Sequence, residues 1–533
     1  VVDHDIPSLA LTIMKLWRLP TTIQVVLAVL GLPCHVIAVP VAATRYHATP
    51  RTQSSMVPSL LQSHPEEHGH GHEPGHESSA HGGEHVAEGH AESHHGHGDH
   101  ATEGGAHHAH HHAPPSHEAT ALSLMLMGSV AFIMNIFYLV NWNDPDIRLG
   151  SWKVLSMTVS IFGSVLIYAS TKALVLKLFP AAMSVYVQIA LFFVLYALLQ
   201  VALWVIKDKQ NERLIVATGT IFAHVVGFSA MYVAAELQLS PSPYGVPGSN
   251  ALLVAIGVAV LIYGLSTVSD RLRVGAASLD GHIDESEEQW MEQVEDAEND
   301  IFSLAVGFLT MQAVRFYLCG EPVPFHAHDQ PPKEISQVQI NELLFAAIFF
   351  GAITCAVAWV EEHSVAAQRA GPVAKRLFHL GINVSAMTMA WCLLYWGDWQ
   401  LFELGLDVRN RVGGCILLAL LLTLLSLLSI FALDFVADRG RMGKKALRSL
   451  ILSLGVLVGF SWEKAFDVAM EDIAHTDFGL SLPADVKILL QTVILCLVVI
   501  PAWYKYILPH SMAELHSEPH AESKEPEAEA VKA

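Results

Sequence analysis

Residues 183–206 read MSVYVQIALFFVLYALLQVALWVI, a run without one charged side chain. A helix rises about 1.5 Å per residue and needs roughly 20 apolar residues to cross a bilayer's hydrocarbon. This run is long enough, and it has many counterparts. Outward from it, similar runs fall at 21–42, 121–141, 154–174, 214–237, 250–269, 301–319, 341–361, 379–397, 412–436, 447–470 and 486–503. The sequence therefore predicts an all-α polytopic membrane protein with about twelve transmembrane helices. The first run is the weakest, because Pro33 and Pro40 interrupt it.

Composition points the same way. Of 533 residues, 52% are hydrophobic and 15% charged, with a mean hydropathy of +0.40. A soluble domain carries about 25% charged residues, so the expected surroundings are a lipid bilayer. A net charge of −21 argues against nucleic acid as a partner. Cys34, Cys319, Cys355, Cys392, Cys415 and Cys496 lie in apolar stretches with no CxxC spacing. Neither a disulfide framework nor a thiolate zinc site is expected. No GxSxG, P-loop, HExxH or dinucleotide fingerprint occurs in a credible context, so an enzyme is not expected.

Basic residues set the expected orientation. With the N-terminus cytosolic, eighteen Lys and Arg fall in cytosolic segments and eight in the opposite loops. Both termini are then expected inside the cell, with an even number of spans.

The chain also echoes itself. Asp5-Ile6-Pro7-Ser8-Leu9-Ala10 resembles Asp300-Ile301-Phe302-Ser303-Leu304-Ala305, and Gly227-Phe228-Ser229 matches Gly459-Phe460-Ser461. The spacing predicts two tandem six-helix repeats of the same topology, related by an axis along the membrane normal. The expected organisation is an N-terminal segment with the first span (1–63), a His-rich disordered loop (64–117), the rest of the first bundle (118–270), an acidic cytosolic linker (271–299), a second bundle (300–505) and a disordered acidic tail (506–533).

Residues 64–117 hold eighteen of the 31 histidines, among them His107, His108, His110, His111 and His112. The stretch cannot build a core. Neutral imidazoles ligate zinc, copper and nickel, so weak binding of these metals is expected there, on the lumenal or extracellular side. A solvated low-complexity loop without such a role is the plainer reading.

Ionisable groups at lipid depth are costly and each needs an account. Glu463, Asp467 and Glu471 share one face of the eleventh span at i, i+4 and i+8. Lys464 is close enough in sequence to pair with Asp467. Asp398, Glu403, Glu342 and Glu236 are expected near the same end, forming an acidic vestibule for cations. His224, near the middle of the fifth span, is a candidate proton relay or metal ligand. Its alternative is a neutral histidine bonded to a neighbouring helix. Arg315, Trp391, Tyr395, Trp396 and Trp399 fit anchoring at the membrane surface.

The resulting expectation is a cation transporter, for a transition metal or a proton-coupled solute. An ion channel and a non-transporting membrane scaffold are the alternatives. Glu463, Asp467, Glu471 and His224 would line the ion pathway.

Overall fold

The computed structural model describes residues 117–209, 211–240, 246–278, 283–325, 335–405, 411–440, 442–475 and 482–512. Within them all the regular structure is helical, and eleven helices are long and apolar enough to cross a membrane. The apolar run at 21–42, the His-rich loop with His107, His108, His110, His111 and His112, and the tail beyond 512 lie outside the described residues.

The helices are α1 (His117–Val140), α2 (Pro145–Lys177), α3 (Ser184–Ile206), α4 (Glu212–Gln238), α5 (Pro247–Ala277), α6 (Glu285–Cys319), α7 (Gln337–His363), the short α8 (Val365–Gln368), α9 (Pro372–Glu403), α10 (Arg411–Asp438), α11 (Lys444–His475) and α12 (Ala484–Ala502). Their ends follow local chemistry. Asp144 caps α2, accepting from the Asp146 amide at 2.9 Å, and Pro145 opens the first turn. Asp284 and Glu287 form a capping box at α6, which stops at Gly320 with φ 72°. Ser336 and Gln339 form a second box at α7.

The helices run once around a single ring in chain order. α2 packs on α4, α4 on α6, α6 on α9, α9 on α11, and α11 closes the circle on α2. An outer helix separates each successive pair: α3 packs mainly on α4, α5 on α6, α7 on α9 and α10 on α11, while α12 covers α2 and α11. Short connections make chain neighbours antiparallel, so the five inner helices all run in one direction. Burial separates the layers: 72% of the apolar window of α6 is buried, against 11% of that of α12. The outer helices turn Leu, Val, Ile and Phe outward, as lipid contact requires.

The described helices fall within one compact unit. α4 pairs with α6, and α11 with α2, across the boundary expected between the halves. The physical reason is close approach at glycine. Gly227 meets Leu304 and Ile301, Gly307 meets Met387 and Thr388, and Gly459 meets Ile161 and Thr158. Each glycine lets its helix sit against the next one around the ring.

Of the acidic linker expected at 271–299, residues 285–299 are helical. They are the first four turns of α6, with Glu287, Trp290, Val294, Ala297, Glu298 and Asn299 buried. Trp290, Val294, Ala297 and Ile301 recur at i, i+4, i+7 and i+11, a core-facing stripe that outweighs the acidic composition.

Candidate functional site

The ring interior is closed by a string of aromatic side chains. Tyr168 of α2 touches Tyr232 of α4 at 5.5 Å between ring centroids. Tyr232 touches Phe325 at 5.6 Å, and Phe325 touches Phe308 of α6 at 5.8 Å. Phe308 meets Trp391 of α9 at 4.8 Å, Trp391 meets Phe460 of α11 at 4.1 Å, and Phe460 meets Phe228 of α4 at 5.3 Å. Every inner helix contributes. Trp391, Tyr395 and Trp399 are buried, and Trp399 is 0% exposed. The expectation that this cluster anchors the chain at the membrane surface is therefore corrected. At i, i+4 and i+8 these side chains form the inner stripe of α9.

Phe325 does not come from a helix. After Gly320 the chain folds back, burying Val323 and Phe325. Irregular backbone at this depth must find its bonds inside the protein. Gln312 Nε2 donates to the Val323 carbonyl at 3.0 Å, Arg315 to the Pro324 carbonyl at 3.0 Å, and the Tyr395 hydroxyl to the Phe325 carbonyl at 3.3 Å.

The α11 carboxylates lie beyond the aromatic string, toward the C-terminal ends of the inner helices. Glu463 follows Phe460 by three residues and is half-buried. Its charged neighbours are Asp467 and Lys464, and the Tyr232 ring is within electrostatic reach of both carboxylates. Glu463 makes no hydrogen bond or ion pair among the described residues. The expected pairing of Lys464 with Asp467 is replaced: Lys464 Nζ donates to Asp398 of α9 at 2.7 Å. A cross-helix partner at this distance outcompetes a neighbour on the same helix. Glu471 sits at the mouth with a 42% exposed side chain, 4.0 Å from His475.

The expected vestibule is thus only partly open. Asp398 is taken by Lys464, and Glu236 by Lys172 at 3.4 Å and Gln188 at 2.8 Å. Glu342 and Glu403 are exposed on the surface. Beside Glu236, a cavity of about 210 Å³ is lined by Tyr168, Ala169, Lys172, Ala173, Leu176 and Tyr232.

His224 lies on the other side of the aromatic string. It is one helical turn before Phe228 on α4, and 4% exposed. Its Nδ1 has no hydrogen-bond partner among the described residues, so the bond to a neighbouring helix is not made there. Glu463 and Asp467 are brought together; His224 is kept from them by the Phe228–Phe460 contact. On the His224 side, Arg448 of α11 is within electrostatic reach of Lys153 on α2 and of Asp296 and Asp300 on α6. α6 packs mainly on α4, α5 and α9 rather than on α2 or α11, so these charges face one another across the ring.

One buried carboxylate was not singled out from the sequence. Glu298 of α6 accepts from Arg273 of α5 at 2.8 Å, Tyr196 of α3 at 2.5 Å and Gln200 of α3 at 3.1 Å, with Arg376 of α9 at 3.5 Å. The available signal was Tyr196 and Gln200, two polar groups one turn apart inside the charge-free run that begins at 183.

Compared with known proteins, the chain matches no family model, no curated protein and no solved structure.

Proposed function

We propose that this protein is a cation transporter whose pathway follows the axis of the helix ring. One observation carries the reading: the Glu463 carboxylate stands inside the ring, beside Asp467, without a hydrogen bond or ion pair among the described residues. A carboxylate kept at lipid depth without a partner fits a group that a cation or proton visits. The polar groups at both ends, with aromatic packing between them, suit alternating access better than a continuously open pore. In this reading Glu463 and Asp467 bind the cation, Glu471 stands at the entrance, and His224 moves a proton on the far side of the string. The chemistry is translocation, not catalysis.

The basic loops support an orientation with both termini cytosolic and the His-rich loop opposite, where it would gather zinc, copper or nickel. The internal similarity supports repetition. Val-Gly-Phe recurs at 226–228, 306–308 and 458–460, on α4, α6 and α11. Two of its copies fit the proposed six-span duplication; the third suggests that the unit is a single helical hairpin.

The test is cation uptake into proteoliposomes, with proton flux followed by a pH-sensitive dye. Glu463→Gln is expected to abolish flux while leaving expression and folding intact. Wild-type flux in that variant would overturn the assignment. The tightly packed aromatic interior favours one rival, a non-transporting scaffold, for which the wild type itself would move no cation. Currents far above transporter turnover would identify a channel instead.

A further inference from the structure

Arg315 is the charge in the ring that the cation pathway leaves unexplained. A guanidinium stays protonated under all physiological conditions, and a buried one needs an anion or a full set of acceptors. Arg315 is 2% exposed. One of its terminal nitrogens donates to Gln312 Oε1 at 2.7 Å and the other to the Pro324 carbonyl at 3.0 Å. Its Nε has no partner among the described residues. The Tyr395 and Trp399 ring centroids lie 3.8 and 5.4 Å from its central carbon. Asp398 is within electrostatic reach but spends its bond on Lys464. So the guanidinium is held by aromatic faces and two neutral oxygens. One of those oxygens belongs to the non-helical segment that folds back after Gly320.

We propose that Arg315 is the binding group for a small monocarboxylate carried together with the cation, and that the Pro324 carbonyl holds its place in the closed state. This rests on the reading of the ring axis as a transport pathway. Three features select the ligand. A planar fork of N–H donors matches the two oxygens of a carboxylate. Tyr395 and Trp399 offer flat apolar walls to the body of the molecule. Asp398, the carboxylate within reach of Arg315, is bonded to Lys464, so among the described residues no carboxylate bonds the guanidinium and that place is open to one carboxylate group. Withdrawal of the folded-back segment, which Phe325 pins against Tyr232 and Phe308, removes the Pro324 carbonyl from the guanidinium.

The experiment is an equilibrium titration of the purified full chain with sodium benzoate, with sodium chloride at matched ionic strength as comparison. The readout is tryptophan fluorescence, since Trp399 lies against the guanidinium. It needs no gradient, so its result is independent of flux through Glu463. Expected are a saturable benzoate response in the wild type, at least tenfold tighter binding in Phe325→Ala, at least tenfold weaker binding in Arg315→Gln, and no saturable response to chloride. No benzoate response in either wild type or Phe325→Ala would overturn the proposal. So would unchanged affinity in Arg315→Gln or, if that variant does not fold, in Arg315→Lys, which keeps the charge and loses the fork. A saturable response to chloride alone would overturn the carboxylate assignment.

Discussion

Two carboxylates inside the same helical body are treated in opposite ways. Glu298 has a 0% exposed side chain and is bound by Arg273, Tyr196 and Gln200, with Arg376 beside it, so four helices meet on one group. Glu463 is half-buried beside a second carboxylate, and no donor reaches it among the described residues. A satisfied buried charge fixes helices in register; an unsatisfied one spends stability on something else. The first holds helices together; in the function proposed above, the second carries the transport chemistry.

The sharpest way to break the comparison is to neutralise each in turn. Glu463→Gln is expected to lose all flux and keep or slightly raise the thermal midpoint in detergent, because it removes a charge that has no hydrogen bond or ion pair among the described residues. Glu298→Ala is expected to cost about 3–5 kcal/mol, since Arg273 and Arg376 lose their common partner. Unfolding measured in the same detergent checks both. A large destabilisation by the first, or none by the second, would reverse the roles.

A smaller effect separates the inner layer from the outer. A Cβ at Gly307 would sit 2.9 Å from the Met387 Cβ and 3.3 Å from the Thr388 nitrogen, whereas nothing lies within 4 Å of one at Gly257. Gly307→Ala is therefore expected to destabilise by about 1–3 kcal/mol. Gly257→Ala, on the lipid-facing α5, should be neutral or stabilising by up to about 1 kcal/mol. Thermal midpoints of the two variants decide it.

The smallest effect concerns pH at the start of α6. The Glu287 amide and the Ser286 hydroxyl bond to the Asp284 carboxylate and hold its pKa below the ordinary aspartate value. A lowered folded-state pKa adds stability above the unfolded value, near 3.9, and that stability fades as pH falls through the depressed value. The stability gap between wild type and Asp284→Asn should be constant above about pH 5 and close below about pH 4. A gap that widens on acidification would contradict the cap.

Much of this was legible in the sequence, because a transmembrane run needs only length and apolarity. The runs expected at 121–141 through 486–503 all appear as helices, several of them longer at the ends where charged turns continue beyond the apolar stretch. The ring was not legible, since hydropathy says that a helix crosses the membrane but not which helix it touches. The burial of 285–299 was hidden because averaging over acidic residues conceals the stripe Trp290, Val294, Ala297 and Ile301. The third Val-Gly-Phe, at 306–308, was readable but lies outside the pairing that a two-copy scheme looks for. Among the candidate residues, the closeness of Glu463 and Asp467 was legible because helical spacing alone puts them on one face. Their separation from His224 depends on Phe228 and Phe460 meeting across the interior, a contact between residues far apart in the chain.

The seam between α11 and α2 has a consequence for biogenesis. Hairpins delivered in order build an open arc, and α2 waits with a bare flank until the last ones are made. Both edges of that arc carry surfaces shaped for another helix, which makes the unfinished chain a natural client for intramembrane chaperones. Truncation before Lys444 would leave the gap permanent, so nonsense products ending there should be cleared by quality control rather than accumulate as stable fragments.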